Sequence, residues 1–273
     1  MNKTEVDDRE YSKLKSLINK NLGFHCDQYK ESHFKRRIAV RMRATNSHNY
    51  SDYIGVLKND PEEYKNLMNT LTVNVTNFFR NPDSFQIVEN EVLPDIIRSK
   101  SDSYNKSIRL WSAGCSIGVE AYSIAIILHK LLKNEFKKYR INIIGTDIDN
   151  EAITRANEGK YTETELKGVD NKIIDRYFEK KDGWYFLTEE LKKIANFKWH
   201  DLISSPKMSG FDLVLCRNVT IYFEKELQEK LYTDFYNALN PGGYFVMGKT
   251  ETLVGESQYL FKPYNSTERI YYR

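Results

Sequence analysis

The sequence predicts an α/β fold in which a helical N-terminal segment precedes a mainly parallel sheet. Residues from about 8 to 100 show helical periodicity and contain no convincing strand. From Ser107 onward, apolar strands alternate with helices, as they do in βαβ units. The segment Phe211–Cys216 is almost entirely apolar, which is typical of a parallel strand covered on both faces.

The composition is that of a globular protein. The chain has 273 residues, of which 40% are hydrophobic and 29% charged, enough for one large or two smaller domains. No apolar run approaches the roughly 20 residues of a membrane helix, and no secretory signal is visible. We therefore expect a cytoplasmic protein without membrane insertion, acting as a monomer.

Cysteine spacing and net charge exclude further classes. The three cysteines are far apart and form no C-x-x-C pair, which argues against a disulfide framework or a zinc site, so no metal is expected. A net charge of +3 is too small to imply a nucleic-acid partner.

Two amphipathic helices are predicted near the N-terminus. The first carries an apolar stripe formed by Tyr11, Leu14, Leu17 and Ile18. The second, His33–Arg43, has five basic residues and no acidic one. Its predicted buried stripe is Phe34, Ile38 and Met42, and the opposite side carries Arg36, Arg37, Arg41 and Arg43. A solvated face is the alternative, but charge of one sign favours docking to an acidic partner.

Two helix starts flank a candidate functional loop. Asp60-Pro61-Glu62-Glu63 predicts an N-cap, a proline at the first helical position and a capping box, with the helix ending near Leu71. Asn81-Pro82-Asp83 predicts a second start. Arg80 lies on the loop before it, after Phe78 and Phe79, which we expect in the core. An arginine held on such a loop is a stronger functional candidate than one on a helix face.

The segment Trp111–Ala125 joins the first predicted strand to an apolar helix through a turn with two glycines. This arrangement can cradle a nucleotide-like ligand, although an ordinary βα turn is equally compatible with it. The next strand, Ile141–Thr146, ends at Asp147, which is placed to accept hydrogen bonds from ribose hydroxyls. Asp149 fits better as the cap of the following helix, so Asp147 is left for a ligand.

The alternation is interrupted between about 161 and 196, where we predict a small inserted subdomain with a turn at Asp182-Gly183. Beyond the insert, the strand at Phe211–Cys216 leads into Arg217 and Asn218, at the end of the sheet where α/β proteins bind ligands. The remaining predictions are a helix, a strand and a last hairpin, at Lys225–Leu239, Tyr244–Met247 and Tyr259–Tyr272.

Together these motifs resemble the chemotaxis receptor methyltransferases of the CheR type, and the resemblance covers nearly the whole chain. The motifs are Asn74-Val-Thr-Asn-Phe-Phe-Arg80, Trp111-Ser-Ala-Gly-Cys-Ser116, Glu120 with Tyr122-Ser-Ile-Ala125, Gly145-Thr-Asp-Ile-Asp149 and Cys216-Arg-Asn-Val-Thr-Ile-Tyr-Phe223. The resemblance implies an all-helical receptor-docking domain over residues 1–88. It further implies a Rossmann-like S-adenosylmethionine-dependent methyltransferase domain over 89–273 with a small antiparallel β insert.

The resemblance also implies a reaction and a set of site residues. Such enzymes transfer a methyl group from S-adenosylmethionine to glutamate side chains on the cytoplasmic helices of methyl-accepting chemoreceptors, giving methyl esters and S-adenosylhomocysteine. The implied catalytic residues are Arg80 and Tyr222, the latter facing the methyl group. The implied cofactor contacts are Asn74, Thr76, Arg80, Gly114, Glu120, Asp147, Asp201, Leu202, Arg217 and Asn218. Asn74, Thr76 and Arg80 would reach the cofactor from the N-terminal domain.

The glycine-containing loop departs from the family's pattern. Ile117, Val119 and Ala121 stand where a hydroxyl, a carboxylate and a proline are usual, which puts cofactor affinity in question. Two alternatives therefore stay open: a receptor-docking module with weakened catalysis, and a nucleic-acid methyltransferase. The second lacks support, because no Asn/Asp-Pro-Pro-aromatic segment follows the fourth strand and there is no Pro-Cys nucleophile.

Overall fold

The computed structural model describes residues 3–104 and 106–273, with side chains from residue 7 onward. The chain divides into two compact units. One unit comprises the chain up to Val73 together with Tyr222–Leu227, and the other comprises Asn74–Ile221 and Gln228–Arg273. The domain boundary predicted after residue 88 therefore lies too late, and the first unit also includes a short segment from far along the chain.

The helical unit contains four helices: α1 (Lys3–Leu22), α2 (Glu31–Ala44), α3 (Tyr50–Asn59) and α4 (Pro61–Leu71). Its core comes from apolar positions at helical spacing, including Leu14, Ile18, Phe34, Ile38, Tyr53, Leu57 and Leu67, all buried. The predicted stripes are thus confirmed in their central residues, whereas Leu17 and Met42 are only half-buried.

The start of α4 confirms one predicted contact and corrects another. Asp60 is the N-cap, and its carboxylate accepts a hydrogen bond from the backbone N–H of Glu62. Glu63 does not complete a capping box, because its side chain turns into the helical unit. There it accepts hydrogen bonds from Arg41 Nε at 2.9 Å and Nη2 at 2.6 Å, and from the Tyr53 hydroxyl at 2.7 Å.

This contact also corrects the prediction for α2, which is called the arginine helix below because it contains Arg36, Arg37, Arg41 and Arg43. Arg41 was expected on the docking face, but its guanidinium is paired with the buried Glu63 carboxylate. Arg36 and Arg43 are exposed as predicted, and Arg37 is half-buried. The bidentate pair lowers the pKa of Glu63 against the opposing effect of burial.

The second unit is built on a seven-stranded sheet in the order β6-β2-β1-β7-β8-β10-β9. The first five strands in that order run parallel, and β10 and β9 are antiparallel to their neighbours. The strand bounds are β1 (Ser107–Ala113), β2 (Arg140–Asp147), β6 (Ala195–Trp199), β7 (Phe211–Cys216), β8 (Leu239–Met247), β9 (Lys262–Asn265) and β10 (Ile270–Tyr272). Every residue of β7 is buried, as predicted for a central parallel strand.

Helices accompany this sheet along the chain. They are α5 (Pro82–Ile87), a π turn at Val88–Val92, α6 (Leu93–Ser101), α7 (Val119–Leu132), α8 (Asn150–Glu158), α11 (Lys225–Ala238) and α12 (Ser257–Leu260). The helix α6 ends at Ser101, a few residues before β1 begins at Ser107. The strand β8 begins at Leu239 and not at Tyr244, with a register shift against β7 across its proline and glycines.

The predicted insert is a three-stranded antiparallel sheet in the order β3-β5-β4, from β3 (Lys160–Tyr161), β4 (Phe178–Lys181) and β5 (Trp184–Leu187). Two short helices, α9 (Asn171–Tyr177) and α10 (Glu189–Lys192), complete it. The turn between β4 and β5 has positive φ at both Asp182 (48°) and Gly183 (78°), as a two-residue hairpin requires. Within the described residues, no helix is long and apolar enough to cross a membrane.

The Arg41–Glu63 pair yields a prediction about stability. Arg41→Ala leaves the buried Glu63 carboxylate without its cation, so we expect the free energy of unfolding to fall by about 3 kcal/mol. Arg43→Ala is the matched control, because Arg43 is exposed on the same helix, and it should change stability by less than about 0.5 kcal/mol. Urea denaturation of both variants measures the difference, and equal effects would contradict the structural role of Arg41.

Candidate active site

A cleft lies beyond the carboxyl ends of β1 and β7 in the second unit. Six of the residues predicted to contact a cofactor surround it: Thr76, Arg80, Gly114, Glu120, Arg217 and Asn218. Three further lining residues, which the sequence had not singled out, are Asn77, Phe85 and Cys115. Residues from three separate stretches of sequence thus converge at the end of the sheet where α/β proteins bind ligands.

The turn between β1 and α7 leaves no room for a side chain at its glycines. Gly114 has φ +74°, and a Cβ there would lie 2.4 Å from Cγ2 of Val219. Gly118 has φ +82°, and a Cβ there would lie 2.9 Å from Ala156 and Phe197. The turn is therefore packed on two sides, and α7 begins directly after it with Glu120 in its first turn.

The residues that depart from the family's pattern in this turn face the core. Ile117, Val119 and Ala121 are 3%, 0% and 0% exposed and belong to the main hydrophobic cluster. Glu120 is the residue of this stretch that reaches the cleft. The three apolar residues therefore pack beneath the turn. Their presence does not remove the Glu120 carboxylate, which still lines the cleft.

A buried ion pair joins the two sides of the cleft. Arg217 Nη1 lies 3.2 Å from Oε2 of Glu120, and the other Glu120 oxygen accepts a hydrogen bond from the Ser112 hydroxyl. Arg217 Nη2 donates to the backbone carbonyl of Arg80 at 2.6 Å and to Oδ1 of Asn81 at 3.0 Å. The Arg217 guanidinium thus connects the loop before α5 with the start of α7.

That loop is strained, which is common where backbone is held for function. Phe79 and Asn81 both have left-handed φ, 51° and 61°. Arg80 Nη1 donates to the carbonyl of Val75, and the N–H of Phe79 donates to the Ser123 hydroxyl. Asn81 precedes Pro82 as predicted, but its side chain makes no helix-capping hydrogen bond because it accepts from Arg217.

The two phenylalanines of the loop differ from each other. Phe78 is buried, as predicted, and lies edge-on to Tyr161 at 4.9 Å and to Phe178 at 5.4 Å between ring centroids. Phe79 is only half-buried. The loop belongs to the second unit, so the expectation that Asn74, Thr76 and Arg80 reach the site from the N-terminal domain is wrong.

Asp147 and Asp149 lie in a polar network beside the turn. Asp147 Oδ2 accepts from the N–H of Ser116 at 2.7 Å, and its Oδ1 accepts from the N–H of Asp149 at 3.0 Å. Asn74 connects the two segments, accepting from the Ser116 hydroxyl and donating to Oδ2 of Asp149. Asp149 also caps α8 through Glu151 and Ala152, as predicted.

Burial raises the pKa of Asp147 to about 6, and the nearby Asp149 carboxylate acts in the same direction. The backbone N–H groups of Asp149, Ser116 and Ile148 oppose this shift without cancelling it. A carboxylate with so raised a pKa gains from any further hydrogen-bond donor that approaches it.

Four of the ten predicted cofactor residues lie outside the lining of this cleft: Asn74 and Asp147, described above, and Asp201 and Leu202. Asp201 is buried, and its carboxylate accepts hydrogen bonds from the N–H of Ile203 and the hydroxyl of Ser204. Leu202 lines a different small cavity, with Trp111 and His200 among its neighbours. The contact of Asp201 and Leu202 with the cofactor stays a prediction.

Sequence reasoning did not give Glu251 a role at this end of the sheet. It is 3% exposed and accepts hydrogen bonds from the N–H groups of Asn218, Val219, Thr220 and Gly248. The available signal was the acidic residue in the stretch Gly248-Lys-Thr-Glu251, which directly follows β8. Asn218, at φ +62°, has an Oδ1 atom that is buried without a hydrogen-bond partner.

Tyr222 belongs to the helical unit. Its backbone carbonyl accepts from the N–H of Lys30 at 2.9 Å, and its ring lies 4.3 Å from that of His33. Burial, with the adjacent Arg37 and Arg36, lowers the pKa of His33 to about 4, so this imidazole is neutral at physiological pH. The catalytic role of Tyr222 stays a prediction.

Within the described residues, no group of three or more His, Cys, Asp or Glu side chains could hold a metal ion. The fold and cleft agree with what comparison with known proteins finds. The CheR methyltransferase, SAM binding domain, matches residues 74–270, and the CheR methyltransferase, all-alpha domain, matches residues 9–72. The junction between the two matches coincides with the division between the two structural units.

Full-length relatives have similar sequences. A chemotaxis protein methyltransferase of Borreliella burgdorferi is 30% identical over 251 residues, covering 90% of this chain and 89% of the relative. One of Listeria innocua is 29% identical, covering 92% and 93%. The putative methyltransferase Cher3 of Pseudomonas putida is 31% identical, covering 97% and 96%. An all-helical domain followed by a Rossmann-like S-adenosylmethionine-binding domain with an antiparallel insert therefore places this chain in the CheR methyltransferase family.

Proposed function

We propose that this protein transfers a methyl group from S-adenosylmethionine to glutamate side chains of chemoreceptors, giving glutamate methyl esters during chemotactic adaptation. The observation that carries the proposal is the convergence of Arg80, Glu120, Arg217 and Asn218 on one cleft beside Asp147. The relatives named as chemotaxis protein methyltransferases support the receptor as substrate.

The polar groups around the cleft suit S-adenosylmethionine. Asp147 offers a carboxylate acceptor for the two ribose hydroxyls, and Glu120, although paired with Arg217, offers carboxylate oxygens that can accept further hydrogen bonds from a ligand. Asn218 Oδ1 has no partner among the described residues, so it can accept a hydrogen bond from a bound amino group. Gly114 lines the cleft with backbone alone, because a Cβ there would clash with Val219.

The cofactor supplies an electrophilic methyl group on a sulfonium centre. The protein's own task is then to bring a carboxylate in line with that group and to exclude water. A glutamate carboxylate is ionised at neutral pH, so no general base is required. This agrees with the cleft, whose lining among the described residues includes Arg80, Glu120 and Arg217 but no histidine.

Arg80 is the proposed orienting cation for a carboxylate, either of the substrate or of the cofactor. Its guanidinium keeps one hydrogen bond to its own loop, to the Val75 carbonyl, so it can be positioned while leaving other N–H donors for a ligand. Tyr222 is the proposed neighbour of the transferred methyl group, on the strength of its place in the motif Cys216–Phe223.

The decisive experiment is methyl transfer in vitro. Incubation with methyl-labelled S-adenosylmethionine and receptor cytoplasmic fragments should yield label that is released by mild alkali, as expected of a glutamate ester. Arg80→Ala should lower kcat/KM by at least about 100-fold, because the carboxylate loses its orienting charge. Receptor binding without any transfer would instead identify a docking module, and salt-dependent binding to DNA or RNA with transfer would indicate a nucleic-acid substrate.

Cofactor affinity should depend on pH through Asp147. With a pKa of about 6 in the free protein, this carboxyl becomes protonated as the pH falls below 6 and loses acceptor capacity for ribose hydroxyls. We expect the Kd for S-adenosylhomocysteine to be constant above about pH 7 and to rise by up to about tenfold per pH unit well below pH 6. Calorimetric titration between pH 5 and 8 measures this dependence.

Asp147→Asn is the control for that titration. The amide keeps one acceptor oxygen but does not titrate, so binding should be weaker at pH 8 and nearly independent of pH. A wild-type Kd that stays unchanged from pH 5 to 8, or an equally steep dependence in Asp147→Asn, would contradict the assignment.

The arginine helix is the proposed docking surface for the acidic receptor helices. The double reversal Arg36→Glu/Arg43→Glu should raise the KM for receptor by at least about tenfold and leave the Kd for cofactor unchanged, because both arginines are exposed. Lys13→Glu/Lys58→Glu removes the same charge from α1 and α3 and is the matched control. Equal effects of the two pairs, or equal loss of cofactor binding, would mean that α2 has no docking role.

A further inference from the structure

We propose that Glu251 is a positioning residue for the cofactor cleft: its buried carboxylate holds the backbone turn from Arg217 to Thr220 in the conformation that presents Asn218 to the cofactor. The inference rests on the proposed function and adds a residue that lies outside the cleft lining.

Glu251 gathers five hydrogen bonds onto one carboxylate. Oε2 accepts from the N–H groups of Asn218 at 2.9 Å and Gly248 at 2.7 Å. Oε1 accepts from the N–H groups of Val219 at 3.0 Å and Thr220 at 2.9 Å, and from the Thr220 hydroxyl at 2.7 Å. Three consecutive backbone donors therefore converge on this side chain, which anchors the turn at every residue after Arg217.

The Glu251 carboxylate needs these hydrogen bonds because it is buried. Glu251 is 3% exposed, and among the ion pairs of the described residues none includes it. A buried carboxylate without a cation depends on surrounding dipoles to offset its lost hydration, and the converging N–H groups supply them. The turn and the carboxylate consequently stabilise each other.

The turn has a shape that needs such support. Asn218 has φ +62°, a left-handed conformation that costs free energy outside glycine. Val219 packs so closely on the β1–α7 turn that a Cβ on Gly114 would lie 2.4 Å from Cγ2. A Cβ on Gly248 would likewise lie 2.6 Å from Glu251 Oε2 and 2.9 Å from the backbone nitrogen of Asn218. The position of Asn218 is thus fixed from both sides.

A second polar contact extends the network away from the cleft. The hydroxyls of Thr220 and Tyr232 lie 2.7 Å apart, and both side chains are fully buried. Because the Thr220 hydroxyl donates to the Glu251 carboxylate, the Tyr232 hydroxyl donates to Thr220. Burial raises the pKa of Tyr232, so the phenol stays protonated and remains a donor.

The test is Glu251→Gln in the full chain. Glutamine has nearly the same shape but replaces one acceptor oxygen with an NH₂ group, so the backbone N–H groups on that oxygen, at least one of them in the turn, lose their acceptor. We expect the Kd for S-adenosylhomocysteine and the KM for S-adenosylmethionine to rise at least tenfold, with the KM for receptor unchanged. Calorimetry and steady-state kinetics measure the three constants.

Glu268→Gln is the matched control. Glu268 is a buried carboxylate in the same C-terminal segment that pairs with Lys249 at 3.0 Å and makes no hydrogen bond to the turn. It should leave cofactor affinity within twofold of wild type. Thr220→Val removes the hydroxyl that donates to Glu251 and accepts from Tyr232 but keeps the Thr220 backbone N–H, and we expect a two- to fivefold loss of cofactor affinity from it, which carries the test if Glu251→Gln does not fold.

The outcomes separate the inference from the proposed function. Wild-type protein that binds no S-adenosylhomocysteine would overturn both. Wild-type binding with an unchanged Kd in folded Glu251→Gln, or an equal loss in Glu268→Gln, would overturn the positioning role alone. A rise in the KM for receptor equal to that for cofactor would also contradict it, because a general structural defect predicts that result.

Discussion

The cleft depends first on the buried guanidinium of Arg217. Its side chain is 3% exposed, and it contacts the Glu120 carboxylate, the carbonyl of Arg80 and the amide of Asn81. It also lies over the Phe85 ring, 5.1 Å from the centroid. A flat, permanently charged group with several donors in fixed directions can hold three backbone segments at once, which lysine could not do. The loop, α7 and the end of β7 are therefore fixed relative to one another.

The negative charges of the buried carboxylates in this region are stabilised by different groups, and the difference matches the proposed role of each carboxylate. Glu120 is paired with a cation, and Glu251 is surrounded by N–H donors. Asp147 has two backbone donors and a pKa raised to about 6, so it is the one with most to gain from a ligand's hydroxyl groups. Asp147, whose negative charge the protein stabilises least, is the residue assigned to the ribose.

Much of the architecture was predictable from local sequence. Alternating strands and helices, the all-apolar β7, the Asp60 cap and the Asp182-Gly183 turn each depend on nearby residues, and the structure confirms them. Six of the ten predicted cofactor residues share one cleft. Two of the predictions that were wrong concern the partner of a side chain: Glu63 pairs with Arg41, and Asn81 accepts from Arg217. Such choices depend on residues distant in sequence.

The sequence by itself determined the fold class and the family, because periodicity, caps and ordered motifs are local properties of the chain. Only the tertiary structure decided that the Arg80 loop belongs to the second unit, and that Tyr222–Leu227 belongs to the first. It also decided that Ile117 and Val119 serve the core, and that Glu251 supports the turn at Asn218. These features follow from burial and from hydrogen bonds between distant segments, which exist only once the chain has folded.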